Sequence, residues 1–332
     1  MKVFIPSLSV DEANWNAEKK RKYFSVPYSF GGCLKYLSHV ITGPSQRFQE
    51  LAEELETGKV LNKITPKLTL GFIGDIMPSP HRTVKIGTGV KSFFAEADYL
   101  VGNFEGTMIT PTAQRVFGGL VHQENILSVL ADWFPPSRTI LTCANNHTGD
   151  FGWSQFNYSY QLLKDRGFLA IGRRDEPSII LGDNEVQLTC ATRWSNQPCS
   201  YVAQLSELAK YHSPATAFQM LCPHWGYEMM GFANPKQIKQ GKKLLAKWDA
   251  IIGHHAHVPQ QVSSYALGEK EQLLAYSLGN FGCDVPIKKY HFGLILKLTL
   301  GTDAQGRWAV GKIDYQKIEA QFDRETVRVD TI

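Results

Sequence analysis

Residues 250–257 read Ala250-Ile251-Ile252-Gly253-His254-His255-Ala256-His257. An apolar run that stops at a glycine and three histidines predicts a buried strand ending in a cluster of imidazoles. Three of the chain's ten histidines fall within these four positions. On an extended segment side chains alternate between faces, which groups His255 with His257 and sends His254 and Ala256 the other way. Two imidazoles on one face at a strand end can grip one metal ion or two adjacent ones. Taken alone, the stretch also reads as a polar turn with solvated histidines, so the rest of the chain has to decide.

The same pattern recurs on both sides of it. Strands are predicted over 68–73, 99–101, 139–144, 186–192 and 216–221, with another over 273–277. They run into Gly74-Asp75, Gly102-Asn103-Phe104-Glu105-Gly106, Asn145-Asn146-His147, Pro223-His224-Trp225-Gly226 and Leu278-Gly279-Asn280. Helices are predicted over 90–97, 125–133, 152–166 and 235–248, the last with Pro235 in its first turn. Residues 292–300 and 308–318 read as closing antiparallel strands. Strands alternating with helices indicate an α/β architecture, and polar residues at the strand ends mark the edge where ligands bind in such folds.

At 332 residues the chain can bury a large core. The change of character at Lys67 divides it into an N-terminal extension, 1–66, packing on a main domain, 67–332. Within the extension, Phe48, Leu51 and Leu55 predict an amphipathic helix over 46–61. A net charge of +4 without a dense Lys/Arg stripe argues against nucleic acid as a partner. The run Lys19-Lys20-Arg21-Lys22 reads as a solvated helix face. The six cysteines form no C-x-x-C pair and are expected as reduced thiols. Pro6 interrupts the short apolar patch at the N-terminus, so no signal peptide is expected, nor a membrane anchor, since no segment nears the ~20 apolar residues of a spanning helix. These features together predict a soluble, cytoplasmic protein.

The strand-end residues Asp75, Glu105, Asn146, His147, His224, His255 and His257 mix carboxylate, amide oxygen and imidazole. Such donors suit divalent Zn, Mn or Fe. Their number exceeds the needs of one tetrahedral ion, and a carboxylate can bridge two ions roughly 3.5–4 Å apart. His81 and His122 sit in predicted loops from which they could approach the site, and Trp225, Tyr227 and Phe232 read as pocket wall or core.

Six ordered blocks carry a resemblance: Gly74-Asp75-Ile76-Met77, Gly102-Asn103-Phe104-Glu105-Gly106, Ala144-Asn145-Asn146-His147-Thr148, His224-Trp225-Gly226, Gly253-His254-His255-Ala256-His257 and Ser277-Leu278-Gly279-Asn280-Phe281. Over roughly residues 67–300 the chain resembles the CapA family, the capsule and poly-γ-glutamate synthesis branch of the calcineurin-like metallophosphatases. The resemblance implies a four-layer α/β fold, a central β-sandwich flanked by helices, with a two-metal centre at the strand ends. It assigns Asp75, Asn146, His224, His255 and His257 as metal ligands, Glu105 as the bridging carboxylate and His147 as the substrate-facing catalytic histidine. The broader superfamily carries Asp-x-His at the first block, whereas Met77 holds the third position here. A thioether is a poor ligand for a hard dication, so the count stands at one or two divalent ions.

The function so implied is metal-dependent hydrolysis of a phosphoester, with a metal-bound hydroxide attacking phosphorus in line and His147 protonating the leaving group. Asp150 either orients His147 or caps the following helix. Arg82, His254 and Asn280 are expected to meet an anionic substrate, small molecule or polymer. Two other readings stand beside this one: hydrolysis of an amide or acyl bond of the γ-glutamyl type, or biosynthetic action on a small molecule; and a non-catalytic subunit of a polymer-synthesis assembly.

Overall fold

Two mixed sheets carry the chain in the computed structural model, which describes residues 2–4, 10–21, 28–284 and 287–332. One sheet has the order β1 (Lys2–Phe4), β7 (Ser178–Leu181), β8 (Val186–Thr192), β9 (Phe218–His224), β10 (Ala250–Ile252), β12 (Lys270–Ala275) and β11 (Val262–Leu267). The other runs β3 (Thr83–Ile86), β15 (Thr326–Thr331), β14 (Trp308–Phe322), β13 (Phe292–Thr302), β2 (Thr65–Ile76), β4 (Tyr99–Phe104), β5 (Thr139–Thr142) and β6 (Leu169–Ile171).

Each sheet contains a parallel block, β8-β9-β10-β12 in the first and β2-β4-β5-β6 in the second. Parallel strands covered on both faces need continuous apolar sequence. Accordingly β5, β8, β9 and β10 are buried along their whole length, whereas the antiparallel β14 mixes buried and exposed positions. One apolar core joins the sheets, with Phe72, Leu100 and Leu141 from one and Leu188, Met220 and Ile251 from the other. Helices Thr88–Phe93 and Asn125–Trp133 lie against β15 and β3 respectively, and helix Trp153–Asp165 lies against β6. On the first sheet, Gly241 of helix Pro235–Leu244 approaches Leu274 of β12. This is the β-sandwich flanked by helices that the resemblance implies.

The N-terminal residues are built into this body. β1 pairs antiparallel with β7, and Trp15 is buried with its ring 4.8 Å from that of Trp153. Helix Phe30–Thr42, capped by the Ser29 hydroxyl, packs Tyr36 and Val40 against Met229, Ala256 and Val258. The sequence pattern does not signal this helix, because Gly31 and Gly32 lower helix propensity.

The helix expected over 46–61 is absent; only a single turn of 3-10 helix, Gln49–Leu51, forms. Beyond it the backbone donors go to the sheets: Leu55 N–H donates to the Val262 carbonyl, Gly58 N–H to Ile313 and Leu61 N–H to Gly311. Leu55 enters the core while Leu51 stays 44% exposed, so the spaced residues do not share one buried face, and tertiary pairing overrode the helical pattern. Lys19, Lys20 and Arg21 are exposed but follow the helix Glu12–Ala17 instead of lying in it. Lys22, residues 23–27 of the aromatic stretch, Met1 and residues 5–6 lie outside the described residues. No helix among the described residues is long and apolar enough to cross a membrane. None of the six cysteines is joined in a disulfide.

Candidate metal centre

Six strand ends meet where the two parallel blocks face each other. Asp75 closes β2, Glu105 follows β4, and Asn145 and Asn146 follow β5; His224 closes β9, His254 to His257 follow β10, and Asn280 follows β12. Residues 275–281 stitch the two sheets at this point. Gly253 N–H donates to the Ala275 carbonyl at 2.8 Å and Asp75 N–H to the Gly279 carbonyl at 2.8 Å, while Phe281 N–H donates to the Asp75 carbonyl at 2.7 Å. Glycine is required at both crossings. A Cβ on Gly74 would stand 2.1 Å from the Gly279 oxygen, and one on Gly253 would stand 2.1 Å from the Tyr276 oxygen. These two close approaches set Asp75 opposite the histidine cluster.

The alternation expected for His254 to His257 does not hold. His255 and His257 have φ values of 96° and 56°, so the chain coils after β10 instead of continuing extended. All three imidazoles therefore converge. His254 Nδ1 lies 3.1 Å from Asp75 Oδ1, His255 Nδ1 lies 3.0 Å from His224 Nε2, and His257 Nε2 lies 3.6 Å from Glu105 Oε1. His224 Nε2 lies in turn 2.7 Å from Asn146 Oδ1 and 3.7 Å from Glu105 Oε1.

This donor set fits a divalent cation. With bonds of about 2.1 Å, two ligands of one ion stand roughly 3.0–4.2 Å apart, according to whether they are adjacent or opposite. Two triads, Glu105–His224–His255 and Asp75–Glu105–His257, have ligand atoms within 4.8 Å of one another, close to that span, and share Glu105. Both Glu105 carboxylate oxygens, His254 Nε2 and His255 Nε2 are buried without a hydrogen-bond partner. Buried polar groups in native proteins rarely lack a partner, and a set of them converging on one place is the chemistry of an ion cage.

The electrostatics agree. Burial, reinforced by the charges of Asp75, Glu228 and Asp150, pushes the Glu105 carboxyl well above its ordinary range. Burial and the neighbouring His255 and His254 push His224 well below its own, and burial with His257 takes His255 down to about 3. Imidazoles held neutral are in the form that binds metal. Burial alone would raise Asp75, but the hydrogen bond and charge of His254, the charge of His257 and the Asn103 amide outweigh it and hold its carboxyl low.

His147 sits at the mouth of the cluster, its side chain 13% exposed against 2% for His224 and none for Asp75 and Glu105. Its Nδ1 meets Asp150 Oδ2 at 2.7 Å, and Asn196 Nδ2 donates to Asp150 Oδ1 at 3.2 Å. Asp150 thus orients His147; the helix after it is capped by Gly152 without a side-chain bond.

The three residues expected to meet substrate are engaged elsewhere. His254 is buried against Asp75, because the coiled backbone turns it inward. Asn280 Oδ1 lies 3.0 Å from His257 Nδ1 and its amide donates to the Tyr290 carbonyl, which directs His257 Nε2 toward the carboxylates. Arg82 pairs with the buried Asp284 and donates to the Asp323 carbonyl at 2.8 Å. Trp225 is core, donating Nε1–H to the Tyr276 carbonyl. Sequence reasoning missed Asn103, whose amide donates to Asp75 Oδ1 at 2.8 Å, as well as Asn196 and Glu228. Asn103 lay in a block already marked; Glu228, four residues beyond His224, was the acid to look for.

His122 belongs to the core. Its ring stacks on Phe104 with centroids 4.0 Å apart, Nε2 faces the Glu105 carbonyl at 2.9 Å, and burial, opposed by that carbonyl, lowers its pKa to about 4. The unfolded chain protonates this residue near 6.5 and the folded chain only near 4, so the unfolded state binds more protons between those values. Stability present above pH 6.5 is then lost as pH falls through about 4, by up to about 3 kcal/mol. Urea denaturation at pH 7 and pH 4.5 should show a smaller drop for His122→Gln than for the wild type; equal drops would refute the assignment.

Two sheets carrying a shared-carboxylate cage at their strand ends define a metallophosphatase-like protein. The chain belongs to the family described as bacterial capsule synthesis protein PGA_cap, whose profile matches residues 69–179 and 183–285. It is 26% identical over 262 residues to the capsule biosynthesis protein CapA of Bacillus anthracis, covering 68% of this chain and 62% of that protein. It is 24% identical over 333 residues to the PGA biosynthesis protein CapA of Bacillus subtilis (strain 168), covering 85% of this chain and 80% of the relative. Two solved structures are similar in part. A hypothetical protein from Thermus thermophilus has a TM-score of 0.46 at 13% identity, covering 75% of this chain and 99% of that one. A putative 5'-nucleotidase from Staphylococcus aureus in complex with alpha-ketoglutarate has a TM-score of 0.45 at 11% identity, covering 74% and 53%.

Proposed function

We propose that the protein is a metal-dependent phosphoesterase. The observation that carries this reading is a buried cage of unpartnered carboxylate and imidazole atoms with an oriented histidine at its mouth. The chemistry that divalent cations supply in such a cage is a water acidified toward neutrality and positive charge facing the phosphoryl oxygens. Asp75, Glu105, His224, His255, His257 and Asn146 would hold them. His147, fixed through Nδ1 by Asp150, presents Nε2 at the mouth, where it protonates the departing alkoxide. Burial of the cage leaves His147 and His257 as the members that keep exposure, 13% and 8% of their side chains, so the substrate phosphate enters on that side.

Purified protein reconstituted with Mn²⁺ or Zn²⁺ should contain one or two ions per chain and hydrolyse a chromogenic phosphodiester. Activity should vanish on chelation and return on adding the metal back. Neither metal uptake nor turnover would overturn the reading and leave a non-catalytic subunit.

A second reading keeps the cage and directs it at an amide bond. Similarity to proteins named for capsule and PGA biosynthesis favours it. Metal-dependent turnover of a γ-glutamyl amide, with no phosphoester cleaved, would decide for it.

A further inference from the structure

Met77 leaves the Asp75–Glu105–His257 triad without the imidazole that an Asp-x-His block would add to it. We propose that Glu228 supplies a ligand in its place, so that the second ion of the centre depends on a carboxylate delivered by the loop after β9 and held by the N-terminal helix. The proposal rests on the metal-dependent reading above.

Three observations converge on Glu228. Its Oε1 stands 4.0 Å from His257 Nε2, within the span of two ligands on one ion, and its donor atoms group with those of His255 and His257. Its side chain is 12% exposed, yet no lysine or arginine among the described residues pairs with it; the one ion-pair partner among them is His257. A carboxylate withdrawn from water without a fixed cation is costly, and a bound dication removes that cost. Finally, the carboxylate is positioned from outside the metal-binding strands. The Glu228 N–H donates to Tyr28 Oη at 3.2 Å, and the Tyr28 and Tyr36 hydroxyls face the carboxylate and favour its charged form. Tyr28 stacks on Tyr36, with ring centroids 6.0 Å apart.

A carboxylate oxygen is a better ligand than a thioether for Mn²⁺ or Zn²⁺, so the exchange is chemically reasonable. Asn280 accepts from His257 Nδ1 and leaves Nε2 facing both Glu105 and Glu228. Tyr36 is then a positioning residue: it touches the carboxylate and not the ion.

The test is Mn²⁺ titration of the metal-free full chain, with free ion read by electron paramagnetic resonance and heat by calorimetry. Wild type should take up two ions. Glu228→Gln should retain one at unchanged affinity and bind the other at least tenfold more weakly. Met77→His combined with Glu228→Gln should restore the lost site, and Tyr36→Phe should keep both sites with a several-fold weaker second one. Two ions at wild-type affinity in Glu228→Gln would overturn the proposal and leave the metal-dependent reading standing; no uptake by wild type would overturn both. Should Glu228→Gln fail to fold, Glu228→Asp carries the same test, and an unweakened second site there would equally refute it.

Discussion

Asp75→Asn is expected to strip the protein of metal and reduce phosphodiester turnover to background, with the fold intact. The carboxylate is the hub of one triad: Asn103 Nδ2 donates to Oδ1 at 2.8 Å, the His255 N–H donates to Oδ2 at 3.1 Å, and His254 and His257 nitrogens stand 3.1 and 3.7 Å away. Asparagine keeps the volume and one oxygen but removes the charge that offsets a dication. Loss of a group that only supports a metal ligand typically costs roughly 10–100-fold in affinity, so loss of the charged ligand itself should exceed that. Asp75→Ala is the cruder variant. It strands a buried amide and a backbone N–H, each at about 1–3 kcal/mol, and mixes instability with metal loss. Elemental analysis after dialysis, alongside circular dichroism, separates the two effects. A folded Asp75→Asn protein with full metal content would rule Asp75 out as a ligand.

His147→Ala should behave differently: metal content unchanged, turnover down by roughly 10²–10⁴-fold. The size of the loss should depend on the leaving group. An alkyl phosphodiester leaves as a basic alkoxide that needs the proton, whereas a nitrophenolate leaves without help, so the chromogenic substrate should lose far less. Asp150→Asn should fall between, since it loosens the 2.7 Å contact that aims the ring without removing it. Equal losses for both leaving groups, or loss of metal with His147, would place this residue in the cage and take the proton-transfer role from it.

The donor atoms were legible because each sits within five residues of the end of a strand whose apolar run marks it. Asp75, Glu105, Asn146, His224, His255 and His257 could be collected without knowing how the sheets meet, and a mixed oxygen and nitrogen set already implied a hard or borderline dication. Order along the chain was enough to indicate the family, and with it the sandwich.

What the sequence could not determine depends on contacts between distant segments and on backbone turns that no local pattern encodes. The positive φ values at His255 and His257 turned His254 inward and cancelled the alternation that an extended strand would impose. Arg82 was drawn to Asp284, 202 positions away, where a buried carboxylate outcompetes a solvated role. The apolar spacing of 46–61 lost to backbone hydrogen bonds offered by the sheets, while a glycine-bearing stretch became a helix because Met229, Ala256 and Val258 gave it a surface to cover. Glu228 joined the site through that helix. Residue types and strand periodicity thus specify which chemistry the chain carries; only the packing of two sheets and an N-terminal helix decides which of those groups share a centre, because burial and hydrogen-bond satisfaction are settled between segments and not within them.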